Sequence, residues 1–154
     1  MQTSNVRILL RSKVEELPKE PNEAPQKYCY RTEAVFEEHD GQYVLIYPES
    51  AAEGMEDTVT TLAFSKTEPP FATLSRKGKI HTTLAFSTAH RRQDCTYDTP
   101  YGSFDFQIVT EELRFSLHEK GGTMHLVYRM ETNGRPMQKN TLSLLITPFS
   151  EVSQ

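Results

Sequence analysis

Histidine and cysteine, the side chains that most often bind transition metals or act as nucleophiles, are few and scattered in this sequence. The 5 histidines and 2 cysteines form no HxH, HExxH or CxxC spacing, so they match no common zinc or redox motif. Cys95 follows Arg91 and Arg92, and nearby cations lower the pKa of a thiol, but Asp94 offsets them. No GxSxG motif or adjacent histidine supplies a catalytic base. We therefore expect Cys95 to be a small strand residue and the protein to be no enzyme, with neither metal nor cofactor.

Two short basic clusters are the other groups that could bind a charged ligand. The first contains Arg76, Lys77 and Lys79, and the second contains Arg91 and Arg92. A strand between the clusters would hold them about 25–30 Å apart, so they cannot form one patch and each predicts a solvated turn. The chain has no GxGxxG or GxxxxGK[ST] phosphate motif. Its net charge of −4 also argues against nucleic acid or an anionic membrane as a partner.

Strands must position these residues, because apolar and polar side chains alternate along most of the chain. Val, Ile, Thr, Tyr and Phe, which favour strands, account for 45 of the 154 residues, whereas Ala occurs only 8 times. The period of two predicts nine or ten strands, in residues 6–14, 28–36, 43–47, 58–65, 71–76, 80–88, 91–97, 104–117, 124–130 and 137–148.

Turn signals separate these strands. The pairs Asp40–Gly41, Gly121–Gly122 and Asn133–Gly134 predict hairpins. The apolar parity switches within residues 110–113, which predicts either a β-bulge or a tight turn there. Residues 50–53 fit a capping box, so this segment is either a single helical turn or a polar loop.

Short links between successive strands predict an antiparallel meander. Such a sheet must close or stack, and the long first and last strands favour closure into an up-and-down barrel of about eight to ten strands. A sandwich is the alternative, although the chain has no Trp and so lacks the immunoglobulin pattern. We expect one domain over residues 1–154 with an ordered core at 5–148.

Several segments resemble the YwiB-like family of bacterial proteins. They are RKG at 76–78, LAF at 84–86, YDTPYG at 97–102, TEEL at 110–113 and LVY at 126–128. The resemblance covers roughly residues 5–148 and implies a calycin-like, that is lipocalin-like, β-barrel of unknown function. It carries no catalytic residues. Calycins often bind small apolar molecules, which implies a ligand inside the barrel.

The family-like segments contain the candidate ligand-binding residues, which are Arg76, Phe86, Tyr97, Tyr101 and Tyr128. Tyrosine combines a large apolar body with a polar tip, which suits a pocket wall, although a core tyrosine bonded to a backbone carbonyl is the alternative. We therefore expect a barrel that binds a small apolar or amphipathic molecule. The alternative is a protein–protein interaction module or a homodimer that has no ligand.

Alternation also predicts which side chains face the interior. We expect an inward face formed by Phe104, Phe106, Ile108, Met124, Leu126 and Tyr128. Arg129 would then point outward into solvent. No secretory signal or membrane span is apparent, and Cys29 and Cys95 stand alone, so we expect reduced thiols and a cytoplasmic protein.

Overall fold

A computed structural model describes residues 2–49 and 57–149, and these form strands joined by turns and loops. The strands are β1 (Gln2–Glu16), β2 (Gln26–His39), β3 (Gln42–Pro48), β4 (Val59–Ser65), β5 (Phe71–Lys77), β6 (His81–Ser87), β7 (Arg92–Thr99), β8 (Gly102–His118), β9 (Gly121–Thr132) and β10 (Arg135–Pro148). Each strand pairs antiparallel with its sequence neighbours, and β10 pairs with β1. The expected all-β, calycin-like barrel is confirmed and is closed. The possible helical turn at 50–53 lies outside the described residues.

Two of the predicted hairpins are confirmed, and each has a turn that only special residues adopt easily. Asp40 and Gly41 have φ values of 52° and 76°, and Asn133 and Gly134 have the same two values. A positive φ at both central residues is the type I′ geometry, which matches the twist of the flanking strands. Asp, Asn and Gly accept this conformation at little cost.

The predicted hairpin near Gly121–Gly122 is present between β8 and β9, but its turn lies two residues earlier than predicted. Residues 119–120 form the turn, and the two glycines begin β9. Their φ values are 137° and 139°, and a Cβ at either position would collide with a backbone carbonyl oxygen, that of Ile146 or Ser116. Glycine is present here because neighbouring backbones approach closely, not because the chain reverses.

The parity switch at 110–113 is a β-bulge within one continuous β8. The β8–β9 register shifts between Thr110 and Glu112, so one extra residue reverses which side chains face inward. Arg91 stabilises the bulge by donating from Nη1 to the carbonyl oxygens of Thr110 at 2.9 Å and Glu111 at 2.8 Å.

Apolar side chains from every strand line the barrel interior. Five of the six residues predicted to face inward are buried, namely Phe106, Ile108, Met124, Leu126 and Tyr128. Phe104 is the exception and is 56% exposed. It lies three residues beyond Gln107, where the β8–β9 pairing ends, so β9 does not cover it.

Arg129 points outward as predicted but is not simply solvated. Its guanidinium contacts Glu111 at 2.7 Å and Glu131 at 3.1 Å. Glu131 also contacts Arg92 of β7 at 2.7 Å, so these charges tie three strands together on the outer surface. Within the described ranges, no helix has the length and apolarity needed to cross a membrane.

Candidate functional site

The half-buried side chain of Arg76 points into the barrel, at the end that carries the links after β1, β3, β5, β7 and β9. We call this end the Arg76 end. The Arg76 side chain shares its strand face with Ala72 and Leu74, which are buried, and is only 21% exposed itself. It lies between Thr60 of β4 and Thr82 of β6 in the register. The solvated turn predicted at Arg76 is therefore wrong, because β5 continues past it and turns its side chain inward.

Glu49 is the carboxylate partner of Arg76. Among the described residues, the Arg76 side chain makes one hydrogen bond, from Nε to Glu49 Oε1 at 3.3 Å. The Thr60 hydroxyl donates to the same oxygen. The Glu49 backbone N–H donates to the carbonyl of Thr58 at 2.9 Å, which fixes Glu49 just after β3. A guanidinium has five N–H donors, so most of the donors of Arg76 have no acceptor among the described residues.

Tyrosine side chains lie near this ion pair, and two of them pack against a phenylalanine. The rings of Phe86 and Tyr128 are 4.9 Å apart between centroids, and those of Tyr97 and Phe106 are 5.0 Å apart. Both pairs are tilted, an arrangement that aromatic quadrupoles favour. Tyr47, which is 1% exposed, adds a further phenol to the same region.

Charge and burial act in opposite directions on the pKa of Arg76, whereas burial dominates the pKa of the neighbouring tyrosines. Burial alone would lower the pKa of Arg76, but Glu49, followed by Tyr97 and Tyr128, raises that pKa above its ordinary value. Burial, reinforced by Glu49, raises the pKa of Tyr47, and burial also raises the pKa of Tyr128. At neutral pH the site therefore presents a charged guanidinium and protonated phenols, all of which can donate hydrogen bonds.

Thr58 adds an unsatisfied polar atom at the same end. It is 1% exposed, and its hydroxyl has no hydrogen-bond partner among the described residues. Gly78 lies against it, and a Cβ at Gly78 would come within 2.6 Å of the Thr58 hydroxyl oxygen. Glycine therefore allows the β5–β6 link to lie close to Thr58.

Three of the five candidate ligand-binding residues lie near one another here, namely Arg76, Tyr97 and Tyr128. Phe86 packs against Tyr128 but lies near the other end of β6. Tyr101 is not among them, because it lies in the turn between β7 and β8 and is 93% exposed. The sequence did not indicate Tyr47 or Glu49. Tyr47 belongs to an apolar run that predicts only a strand, and Glu49 is 27 residues from the arginine that it contacts.

Cys95 is also inside the barrel, but its thiol is not activated. Burial raises the pKa of Cys95, and Asp94 acts in the same direction. The cysteine is 7% exposed and lies on the inward face of β7 as a small packing residue. No group of three or more His, Cys, Asp or Glu residues that could hold a metal ion occurs in the described part of the chain.

Comparison with known proteins identifies the fold family. A family model described as a domain of unknown function (DUF1934) matches residues 13–144. The chain belongs to this family. The crystal structure of the ywiB protein from Bacillus subtilis superposes with a TM-score of 0.74 at 16% identity, covering 94% of this chain and 93% of that one. This similarity shows a shared fold and confirms the YwiB-like resemblance. No curated protein matches the chain.

Proposed function

We propose that the Arg76 end binds a small amphipathic molecule with an anionic head group. The observation that carries this proposal is a charged arginine held inside an apolar barrel with one hydrogen bond from its side chain to the described residues. Burying a guanidinium is costly unless its donors are paired. A ligand carboxylate satisfies those donors in the bidentate geometry that arginine favours.

The aromatic shell supports an amphipathic ligand over a simple anion. Tyr97 and Tyr128 lie near the guanidinium and pack against Phe106 and Phe86, and binding sites commonly combine apolar walls with a few polar groups. Glu49 occupies one side of Arg76 at 3.3 Å. A ligand carboxylate therefore competes with Glu49 for the guanidinium.

This competition gives a test in which two variants act in opposite directions. Binding of dodecanoate is measured by isothermal titration calorimetry in the intact protein and in Arg76→Met, Glu49→Gln and Lys120→Met. Arg76→Met should weaken binding at least tenfold, since hydrogen bonds to a charged group contribute about 1.5–3 kcal/mol. Glu49→Gln should strengthen binding, because it removes the competing carboxylate.

Lys120 is the control, since it is exposed in the turn between β8 and β9 at the opposite end of the barrel, and its variant should bind like the intact protein. Dodecanol, which has the same chain but no charge, should not gain affinity from Glu49→Gln. Equal affinities for dodecanoate in all four proteins would refute the proposal. So would a loss of affinity in Glu49→Gln equal to that in Arg76→Met, because that result indicates a purely structural ion pair.

Native mass spectrometry of freshly purified protein tests for a retained ligand and for the oligomeric state. We propose a non-enzymatic, cytoplasmic binding protein, supported by the buried, unactivated Cys95 thiol and by the free state of both cysteines. A retained small molecule would identify the natural ligand. A dimer without added mass would instead favour the alternative, a homodimer that has no ligand.

A further inference from the structure

Two adjoining concavities lie on the outside of the barrel, away from the Arg76 end's interior. Their volumes are about 590 Å³ and 810 Å³, and both are lined by Leu9 and Leu145. They cross the outer face of β8, β9, β10, β1 and β2. We call this continuous surface the leucine groove.

The register shows how the floor of the groove is built. Leu9 of β1 lies directly opposite Leu145 of β10, and Leu145 is 42% exposed. On its other side, Leu9 lies opposite Arg31 of β2. Two outward leucines in contact positions on adjacent strands make an apolar floor, with an arginine at one end of the row.

Arginines flank this floor along the strand direction as well. Arg7 and Arg11 stand two residues to either side of Leu9, so all three side chains share one face of β1. Arg11 belongs to a row that continues through Ser143 and His125 to Arg114 of β8. Four of the chain's nine arginines therefore line the leucine groove.

The groove is basic although the protein carries a net charge of −4. Glu33 is the one acidic residue that lines it, against the four arginines. Arg114 is 3.5 Å from Glu112, and Arg7 lies over the ring of Phe149 at 4.6 Å. Among the described residues, Arg11 and Arg31 make no ion pair. The surface is therefore complementary to an acidic partner.

We propose that the leucine groove docks an extended acidic segment of another protein. Side chains two residues apart on an extended chain lie about 6.6 Å apart on one face, which matches the spacing of Arg7, Leu9 and Arg11. The partner would place an apolar side chain over Leu9 and Leu145. It would place a carboxylate two residues to either side, giving the pattern acidic–x–apolar–x–acidic. This proposal is independent of the ligand at the Arg76 end.

Charge argues against a second copy of this chain as the occupant. A two-fold interface brings the same patch of both copies together, which would place the groove's arginines against one another. Nucleic acid fits the arginines but not the leucine floor. Both occupants remain measurable outcomes of the test below.

The probe is a fluorescein-labelled peptide, GSESLSESG, and its binding is measured by fluorescence anisotropy at low ionic strength. Two peptides serve as controls, GSQSLSQSG without carboxylates and GSESSSESG without the apolar residue. The intact protein should bind the first peptide roughly three- to tenfold more tightly than either control. Its affinity should fall as salt is added.

Variants of exposed residues locate the binding. Arg11→Glu and Leu145→Ser should each weaken binding of GSESLSESG roughly three- to tenfold. Arg135→Glu makes the same charge change outside the groove and should have a clearly smaller effect. Thermal unfolding checks that each variant is folded, and Arg31→Gln replaces Arg11→Glu if that variant is not.

Three results would overturn the proposal. The first is equal binding of all three peptides, or no binding by the intact protein. The second is an equal loss in Arg11→Glu and Arg135→Glu, which indicates long-range attraction without a groove. The third is a result that assigns the groove to another occupant. One such result is that a DNA oligonucleotide of equal charge displaces the labelled peptide at least as well as the unlabelled peptide does. The other is concentration-dependent dimerisation that Leu145→Ser abolishes.

Discussion

The side chains of Phe106 and Gln107 are adjacent on β8 but face opposite sides of the barrel wall, so they should respond very differently to truncation. Phe106 is 5% exposed, and its ring lies 5.0 Å from that of Tyr97. Phe106→Ala removes this contact and leaves a cavity, which costs about 3–5 kcal/mol. Gln107 is only half-buried and makes one long hydrogen bond, at 3.4 Å to Asp94. Gln107→Ala should therefore change the free energy of unfolding by at most about 0.5 kcal/mol.

Thermal and urea unfolding of the two variants and the intact protein measure this difference. For a domain of this size, 1 kcal/mol corresponds to about 2–4 °C in Tm, so Phe106→Ala should lower Tm by about 6–20 °C. The slope of the free energy of unfolding against urea concentration should stay the same, because the surface exposed on unfolding is nearly unchanged. Equal shifts in the two variants would refute the assigned strand register. A loss below about 1 kcal/mol at Phe106 would instead show that its ring does not pack into a filled interior.

Three further outcomes are expected. Gly102 has a φ of 130° with open space around its Cα, so Gly102→Ala should cost about 1 kcal/mol through backbone strain alone, and an unchanged urea midpoint would contradict this. Iodoacetamide should modify only the exposed Cys29 of the native protein, and the buried Cys95 only after denaturation; two adducts on the native protein by intact mass would contradict this burial. Arg92, against the effect of burial, keeps the pKa of Glu131 below its ordinary 4.5. The resulting stability is present above that pH and lost as pH falls through the lower folded-state value. Glu131→Gln should therefore lower stability at pH 7 and flatten its decline in acid, and a parallel decline in both proteins would show that this carboxylate is not responsible.

Local rules predicted most of the strands and two of the hairpins. Alternation marks a strand wherever one face is buried, and Asp–Gly and Asn–Gly report directly on the turn geometry that Asp40 and Asn133 adopt. The bulge near Thr110 was also detectable, because an inserted residue changes the apolar parity on either side of it. These features depend on a few neighbouring residues, so they can be read from the sequence.

The candidate site was only partly predictable, because its contacts join distant segments. Around Arg76 three successive residues are polar, so alternation does not decide which of them faces inward. The position of Phe104 depends on β8 extending beyond β9, which is a difference between two strand lengths. The two glycines after residue 120 are explained by the backbone of β10 and by the preceding part of β8, which no local pattern reveals.

The pairing of β1 with β10 makes the order of strands circular. Val6 lies opposite Pro148, so the two ends of the barrel's chain are neighbours and a short linker can join them. New ends could then be opened at the Asn133–Gly134 turn, which is exposed and has space around Gly134. In such a permuted chain β10 precedes β1 as a local hairpin, while β9 and β10 become the most distant pair. Folding slows as contacts become less local. Comparing the folding rates of the two chains would therefore show which pairing, β1 with β10 or β9 with β10, forms last.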